Sequence, residues 1–350
     1  MGYELRTNVI EPKRNTFDYL VERFGDRPAT RYQEASFNLQ PKENFHYRPS
    51  WDAHRELYDP DYSALKLTDP YKYTDPRQYY YTPYVANAAD RYESFAQTLK
   101  YVEDRRLLDK MPEAWHTVLT GFVLPLRHYE QGAQLVFTNA NRFGFGTTVT
   151  QAAGFAAFDR IGNAQQLSLI GLSLAGGAAD TLTDAKKNWL YAPNLQGIRQ
   201  TVEELLVEQD WAAGLVGLDM LDDQLYPLLY EHLDERALFR GAGPYSLFAR
   251  HFNDWYRGHR KWLNALLKAW TSDPGHGEGN RKVLGEIITR WYPRACEAMA
   301  IFARGIADQA GSLSIVGAAE RGFAEVAASL TKVGVPTETF NATATKGANT

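Results

Sequence analysis

Glu113 and His116 place an acid and an imidazole three residues apart, within a stretch that the sequence predicts to be helical from Pro112 to Asn139. On a helix, residues three apart share a face, so both side chains could hold one metal ion. Two such Glu-x-x-His pairs, with one Glu from each of two further helices, form the carboxylate-bridged di-iron site of a four-helix bundle. A di-iron site in this chain therefore requires a second Glu-x-x-His pair.

The other Glu-x-x-His sequence is Glu43 to His46, and it lies between Pro41 and Pro49. Proline removes a backbone donor and disfavours helical geometry in the residue before it. A helix is therefore not expected here, and the two side chains need not share a face. For the Glu113 pair, a Glu in a first helical turn is favoured by the helix dipole without any metal.

Two further positions each lack one ligand of such a pair. Glu130 is followed three residues later by Ala133, and His259 is preceded three residues earlier by Tyr256. A di-iron centre that lacks a ligand in both halves binds metal poorly, because each carboxylate contributes charge as well as geometry. The sequence therefore favours a helical bundle of the di-iron type that has no metal site of its own.

Three acids, Asp219, Asp222 and Asp223, lie on or near one face of another predicted helix. Aspartate clusters can hold magnesium against a diphosphate in all-helical prenyl and terpene synthases. The sequence lacks the leading pair of acids and a second metal motif, so a solvated or interfacial acidic face is favoured. A magnesium-dependent enzyme of this type stays an alternative.

The composition narrows the class of protein. The chain has 350 residues, 23% charged and 44% apolar, with a formal net charge of −4. That charge argues against nucleic-acid and membrane-surface partners, for which a basic excess is expected. Cys296 is the single cysteine, so it cannot form an internal disulfide, and a reducing cytoplasm fits. The N-terminus lacks a signal-like apolar core, and no apolar run is long enough to span a bilayer.

Residues 1–83 differ in composition from the rest and are predicted to form an extended N-terminal arm. They contain half of the sixteen prolines and many aromatic residues. Prolines at this density exclude a long helix, and the one short helix predicted runs from Thr16 to Phe24 with Gly25 as its stop. Disordered tails are poor in aromatics. The arm is therefore expected either to lie along its own helical domain or to wrap a partner subunit, and composition leaves both open.

Residues 84–310 are predicted to form one helical domain, and residues 311–350 a weakly helical to mobile tail. The periodicity of apolar residues carries this prediction. No segment has the alternation typical of a strand. The predicted helices are 84–110, 112–139 with a kink at Pro125, 147–174, 180–190, 194–208, 210–235, 245–271 and 280–306.

Four segments resemble the β subunit of bacterial multicomponent phenol hydroxylases, and more distantly those of toluene and other soluble di-iron monooxygenases. The resemblance covers about residues 5–310, and its arm motifs are specific in their order. The segments are FGDRPATRYQEASFNLQ (24–40), NFHYRPSWD (44–52), TDPRQYYYTPYV (74–85) and LPLRHYEQGA (124–133).

The resemblance implies an all-α, ferritin-like (ribonucleotide-reductase-like) bundle that has lost its di-iron site. Glu130 and His259 would then be remnants of the two halves, and Glu113 and His116 a further degenerate pair. The resemblance also implies that the α subunit holds the di-iron centre and the substrate pocket, in an (αβγ)2 hydroxylase. A regulatory protein and a reductase with FAD and [2Fe-2S], fed by NADH, would complete the system.

From the sequence we expect a non-catalytic structural β subunit of a hydroxylase. The hydroxylation of phenol or a related aromatic would take place in the α subunit. The sequence predicts no catalytic residue and no cofactor bound by this chain. The alternatives are an independent metal-dependent helical enzyme, of di-iron or magnesium type, and a stand-alone helical binding protein. Tyrosine, tryptophan and arginine dominate interface energetics, so the predicted contacts with the α subunit are Phe45, Tyr47, Arg48, Trp51, Tyr79, Tyr80 and Tyr81.

Overall fold

The computed structural model describes residues 17–25, 27–41, 48, 50, 53–54, 56–312, 314–332 and 334–336. Within these ranges all regular elements are helices, which confirms the all-α prediction. The α-helices are α1 (Asp18–Phe24), α2 (Arg31–Ser36), α3 (Tyr81–Asp104), α4 (Glu113–Val118), α5 (Leu126–Phe143), α6 (Thr147–Leu174), α7 (Asp180–Tyr191), α8 (Pro193–Leu206), α9 (Trp211–Pro227), α10 (Leu233–Phe239), α11 (Gly243–Thr271), α12 (Gly277–Ala310) and α13 (Ser314–Lys332).

The predicted helix limits hold best where the sequence has clear stop signals. Helix α6 has the predicted bounds, because Gly146 precedes it and the Gly176-Gly177 pair follows it. Helix α3 begins three residues earlier than expected, at Tyr81, because Pro83 fits the first turn of a helix, where its missing N–H is not needed. It also ends earlier, at Asp104, and a separate 3-10 turn covers Leu108–Lys110.

Two of the predicted long helices, 112–139 and 210–235, are interrupted by a π turn next to a proline, whereas α12 continues through Pro293 without one. One π turn, Leu119–Val123, separates α4 from α5 just before Pro125, and the other, Leu228–His232, follows Pro227 between α9 and α10. A π turn inserts one extra residue and lets the helix continue although proline cannot donate a hydrogen bond. The kink predicted at Pro125 is therefore a π turn followed by a new helix.

The core is a bundle of α5, α6, α9 and α11. Helix α5 contacts α6 and α9, and α11 contacts both α6 and α9. Helices α6 and α9 carry apolar or small residues on most faces, and they are buried on most faces accordingly. Helices α8, α12 and α13 pack on the α9 side of this four-helix core. The centre of the bundle is thus the place where buried polar side chains of four helices can meet.

The described part of the arm lies along its own helical domain from residue 56 onward. Leu57, Tyr62, Leu65 and Tyr73 are buried in the main hydrophobic core. Farther toward the N-terminus, Leu20, Tyr32 and Phe37 form a small core of their own. The short helix predicted from Thr16 begins at Asp18 and ends, as predicted, at Phe24, with Gly25 as its C-cap.

Side chains of the helical domain hold the arm by hydrogen bonds to its backbone. The carboxylate of Asp273 accepts from Thr68 N (2.8 Å) and from Thr68 Oγ1 (2.6 Å). The amide of Asn280 accepts from Lys66 N (3.0 Å) and donates to Lys66 O (2.7 Å). Asp210 caps α9 and also accepts from Ala64 N (2.8 Å). These bonds satisfy backbone groups of a segment that has no ladder or helix of its own.

The C-terminal segment contains a full helix, α13, where the sequence indicated only weak helicity. Its apolar stripe includes Ile315, Ala319, Val326 and Leu330, all buried against the main core. This burial stabilises a helix whose many small residues give a weak periodic signal.

Candidate functional site: a buried ion cluster

A guanidinium occupies the centre of the four-helix bundle. Arg160 of α6 is fully buried, and its Nη1 lies 3.2 Å from Oε2 of Glu130 on α5. Its Nη2 donates to Oδ2 of Asp222 on α9. One cation therefore bridges two carboxylates from two other helices, at the depth where a di-iron bundle places its metal ligands.

Neutral donors complete the coordination of both carboxylates. Tyr226 Oη donates to Glu130 Oε1 at 2.5 Å, and Tyr129 Oη donates to Asp222 Oδ1 at 2.7 Å. Asn163 Nδ2 reaches Glu130 Oε2 at 3.4 Å. A buried ion pair is tolerated when the remaining lone pairs are satisfied in this way. Tyr129, Glu130, Arg160, Asn163, Asp222 and Tyr226 are called the ion cluster below.

Aromatic rings surround the guanidinium on its remaining sides. The Cζ of Arg160 lies 4.9 Å from the ring centroid of Trp255, and 5.4 Å from those of both Tyr226 and Phe137. Aromatic faces attract a cation, and the attraction grows when water is excluded. Helix α11 thus contributes a ring, and not a carboxylate, to the centre of the bundle.

Burial and the bridging cation act in opposite directions on these groups. Burial raises the pKa of Glu130 and of Asp222, and the charge of Arg160 opposes that rise. Burial alone would lower the pKa of Arg160, but Asp222 and Glu130 hold it well above its usual range. The cluster is therefore one guanidinium facing two carboxylates, stabilised by mutual attraction in a site without water contact.

His259 lies beside the cluster as a neutral imidazole. Its Nδ1 accepts from Trp262 Nε1 at 3.3 Å, and its Nε2 is buried without a hydrogen-bond partner within the described part of the chain. Burial lowers the pKa of His259 well below 6.5, and the charge of Arg160 lowers it further. The imidazole packs edge-on against Phe137 and Trp262.

The side chains at the bundle centre do not fit a di-iron centre. Among the described residues, no three His, Cys, Asp or Glu side chains converge as metal ligands. The two carboxylates that do meet, Glu130 and Asp222, are bridged by Arg160, whose positive charge occupies the space between them. Ala133, where a histidine ligand would be needed, is fully buried, and Tyr256 donates its hydroxyl to Asp223.

The four residues predicted to be ligand remnants separate into two groups in the structure. Glu130 and His259 both lie buried at the bundle centre. Glu130 is part of the ion cluster, whereas His259 packs beside the cluster against Phe137. Glu113 is exposed and His116 half-buried on α4, which is not one of the four central helices. The second Glu-x-x-His sequence, Glu43 to His46, lies outside the described residues.

The acidic face predicted for α9 is wrong. Asp219 and Asp222 are each 1% exposed, and Arg260 of α11 pairs with both Asp219 and Asp223. Arginines of neighbouring helices neutralise this cluster, which leaves no open face of carboxylates for a magnesium diphosphate. The sequence does not reveal this pairing, because Arg160 and Arg260 are far from Asp222 and Asp219 in the chain.

Arg160 is not among the residues that the sequence predicts to be functional. The signal was the Asp159-Arg160 pair, which provides the only charged residues in α6. Such charges on a mostly buried helix need partners. Asp159 has them in Tyr84, Arg91 and Trp255, which donate to its carboxylate.

The predicted interface residues have different surroundings. Arg48 pairs with Glu56 (2.9 Å), with half of each side chain exposed. Tyr79 packs on Tyr84, Tyr80 packs against the small arm core, and Tyr81 is 74% exposed. Phe45, Tyr47 and Trp51 lie outside the described residues.

No helix in the described ranges combines the length and apolarity needed to cross a bilayer.

Comparison with known proteins places the bundle in one family. The family model described as methane/phenol/alkene hydroxylase matches residues 51–274. The chain is 38% identical to the phenol 2-monooxygenase oxygenase component DmpL of Pseudomonas sp. (strain CF600), over 85% of this chain and 90% of that protein. It is 35% identical to the corresponding component MhpL of Acinetobacter pittii (strain PHEA-2), over 83% and 86%.

The fold agrees with a solved structure of phenol hydroxylase from Pseudomonas sp. OX1. The TM-score is 0.86 at 36% identity, with 94% of this chain and 98% of that chain covered. The chain therefore belongs to the methane/phenol/alkene hydroxylase family.

Proposed function

We propose that this chain is the non-catalytic β subunit of the hydroxylase component of a multicomponent monooxygenase acting on phenol or a related aromatic. The observation that carries the proposal is the Arg160 bridge between Glu130 and Asp222. The bundle keeps the architecture of an oxygen-activating family, but a guanidinium performs the charge neutralisation that a metal would otherwise supply. Relatives named as small subunits of propane 2-monooxygenase hydroxylases support the assignment.

The physical task of such a subunit is to brace the catalytic subunit. Ligands of a metal centre must be held within fractions of an ångström by surrounding structure. A supporting bundle held together by its own covalently attached cation keeps the same shape whether or not iron is present in the system. The ion cluster is thus a rigid internal joint between α5, α6 and α9, independent of metal supply.

The rest of the assembly follows from the family resemblance. The α subunit would hold the di-iron centre and the substrate pocket, within an (αβγ)2 hydroxylase. A regulatory protein and an NADH-dependent reductase with FAD and [2Fe-2S] would dock transiently. This chain would bind none of these cofactors.

The arm supplies further contacts in this proposal. Phe45, Tyr47, Arg48 and Trp51 belong to an aromatic stretch typical of interface anchors. If Trp51 is a central anchor, Trp51→Ala weakens assembly with the α subunit by about 2 kcal/mol or more. Unchanged co-purification of that variant with the α subunit in high salt would contradict the anchor role.

Metal analysis of two preparations tests the proposal as a whole. The chain purified alone should carry only traces of iron or magnesium, whereas the hydroxylase purified through a tag on this chain should contain a larger iron-bearing subunit. Near-stoichiometric metal in the isolated chain would instead support an independent metal enzyme. A well-behaved chain that captures no iron-bearing subunit would support a stand-alone binding protein.

A further inference from the structure

A cavity of about 200 Å³ lies at one end of the four-helix core, between the arm and the helical domain. The helical domain lines it with Phe145 of the turn between α5 and α6, Trp211 at the start of α9 and Trp270 near the end of α11. The arm lines the opposite side, with Leu67 and Pro70. The ion cluster contributes no side chain to this lining, so the cavity is a separate feature of the described part of the chain.

The inner wall of the cavity is aromatic. Trp211 and Trp270 are both buried, and their ring centroids lie 6.1 Å apart with the ring planes inclined at 47°. Aromatic rings attract a further ring in offset-stacked or edge-to-face contact. An apolar cavity of about 150 Å³ binds benzene. The volume found here therefore suits one aromatic ring with a small substituent.

The mouth of the cavity is polar, but its charges are paired. Lys66 forms an ion pair with Asp61, and both residues line the cavity. His276 also lines it and is exposed, and its side chain makes no capping hydrogen bond to α12, although it occupies the N-cap position. The mouth thus offers an imidazole as a hydrogen-bond partner. The paired charges favour a neutral ligand over an anion, because the lysine charge is already neutralised.

We infer that this cavity is a binding site for a neutral, single-ring aromatic molecule that carries one hydroxyl group. The ring lies against Trp211 and Trp270, and the hydroxyl group forms a hydrogen bond with the imidazole of His276. A mostly apolar cavity with a few polar groups at one end is the usual form of a small-molecule site. The inference goes beyond the proposed function and does not depend on it, because it assigns a ligand to a chain that carries out no chemistry.

Ligand binding is linked to docking of the arm, because the arm forms one wall of the site. The backbone N–H groups of Ala64, Lys66 and Thr68 donate to side chains of the helical domain. A ligand that contacts both walls binds only while the arm is docked, and it stabilises that state by mass action. Phenol, the simplest molecule of the inferred class, should therefore slow amide exchange at these three residues.

Matched substitutions of two leucines test the location of the site. Leu67 and Leu107 are both half-buried and pack against the main core, but only Leu67 lines the cavity. The full-length chain, purified alone, is equilibrated with radiolabelled phenol in a dialysis cell. The wild type should bind one phenol with a Kd of about 1 mM or lower. Leu67→Trp fills the cavity and should weaken binding by about tenfold or more, whereas Leu107→Trp should bind like the wild type.

The hydroxyl contact is tested at His276, an exposed residue whose replacement leaves the core intact. His276→Ala should weaken phenol binding by about threefold to tenfold, as loss of one hydrogen bond does. Toluene lacks the hydroxyl group and is the control ligand, and its affinity should be the same for wild type and variant. Equal losses for phenol and toluene, or no loss for either, would overturn the hydroxyl contact.

The remaining outcomes decide the site and its ligand class. Absence of saturable phenol binding to the wild type below about 10 mM, or equal binding by Leu67→Trp and the wild type, would overturn the site. Cyclohexanol that binds as tightly as phenol would overturn the aromatic class. Circular dichroism melts establish that the variants are folded. The wild type gives a test without any substitution, because unchanged amide exchange at Ala64, Lys66 and Thr68 in saturating phenol would also overturn the site. The proposed function stands in each of these cases.

Discussion

Replacing the central guanidinium is the sharpest test of how this bundle is held together. Arg160→Met keeps most of the side-chain volume but leaves Glu130 and Asp222 facing each other without a cation. Breaking a buried ion pair by removing one partner costs about 3–5 kcal/mol, because an uncompensated charge stays buried. The variant is therefore expected to be strongly destabilised at neutral pH.

The magnitude follows from the protons that the carboxyls must take up. Ordinary pKa values of 4.5 for Glu130 and 3.8 for Asp222 apply in the unfolded chain. Protonating one Glu at pH 7 costs about 3.4 kcal/mol at 1.36 kcal/mol per pKa unit, and protonating both groups costs about 8 kcal/mol. The loss of stability should thus lie between about 3 and 8 kcal/mol at pH 7, comparable with the whole stability of many domains.

This mechanism also fixes the sign of the pH dependence. In the variant the folded carboxyls have raised pKa values and bind protons that the unfolded chain has released. Stability of the variant relative to wild type should therefore be lost as pH rises and recovered as pH falls. At pH 5 the same calculation gives only about 2 kcal/mol for both groups.

Urea unfolding at pH 5, 6, 7 and 8, followed by circular dichroism and tryptophan fluorescence, measures the effect. Arg106→Met is the control, because Arg106 pairs with Asp109 at the surface and should contribute under 1 kcal/mol. The triple variant Arg160→Met, Glu130→Gln, Asp222→Asn keeps acceptors for Tyr226 and Tyr129 without charge, and should recover part of the loss. An Arg160→Met loss below about 1 kcal/mol, or one independent of pH, would refute the role given to the cluster.

Two further expectations concern single residues. The pKa of His259 is lower in the folded protein than in the unfolded chain, so its contribution to stability is complete above about pH 6.5 and is lost as pH falls. His259→Asn keeps an acceptor for Trp262 but cannot take up a proton. This variant should therefore show a smaller fall in melting temperature between pH 7 and pH 5 than the wild type. Asp273→Ala should cost about 1.5–3 kcal/mol, since its charged carboxylate accepts from the arm at Thr68 and from Gly275 N and His276 N. Faster amide exchange of residues 66–69, in addition to that of Gly275 and His276, would locate part of the loss in the arm.

The sequence by itself determined the class of fold, and it predicted that the di-iron ligand set is incomplete. Helical periodicity predicted nearly every long helix, and α6 with its observed bounds, because glycines stop the chain on both sides. The missing partners at Ala133 and Tyr256 already argued against a di-iron pair in each half. These conclusions needed only local spacing, which a sequence displays directly.

Only the tertiary structure decided which side chain lies at the centre of the bundle and which acids are buried. Glu130, Arg160 and Asp222 are 30 and 62 residues apart, and no local pattern brings them together. The same limit made Asp219 and Asp222 resemble a solvated face, although distant arginines pair with them. Charge pairing across a bundle depends on the packing of helices distant in sequence, so a guanidinium at the centre of four helices could be recognised only after they were packed.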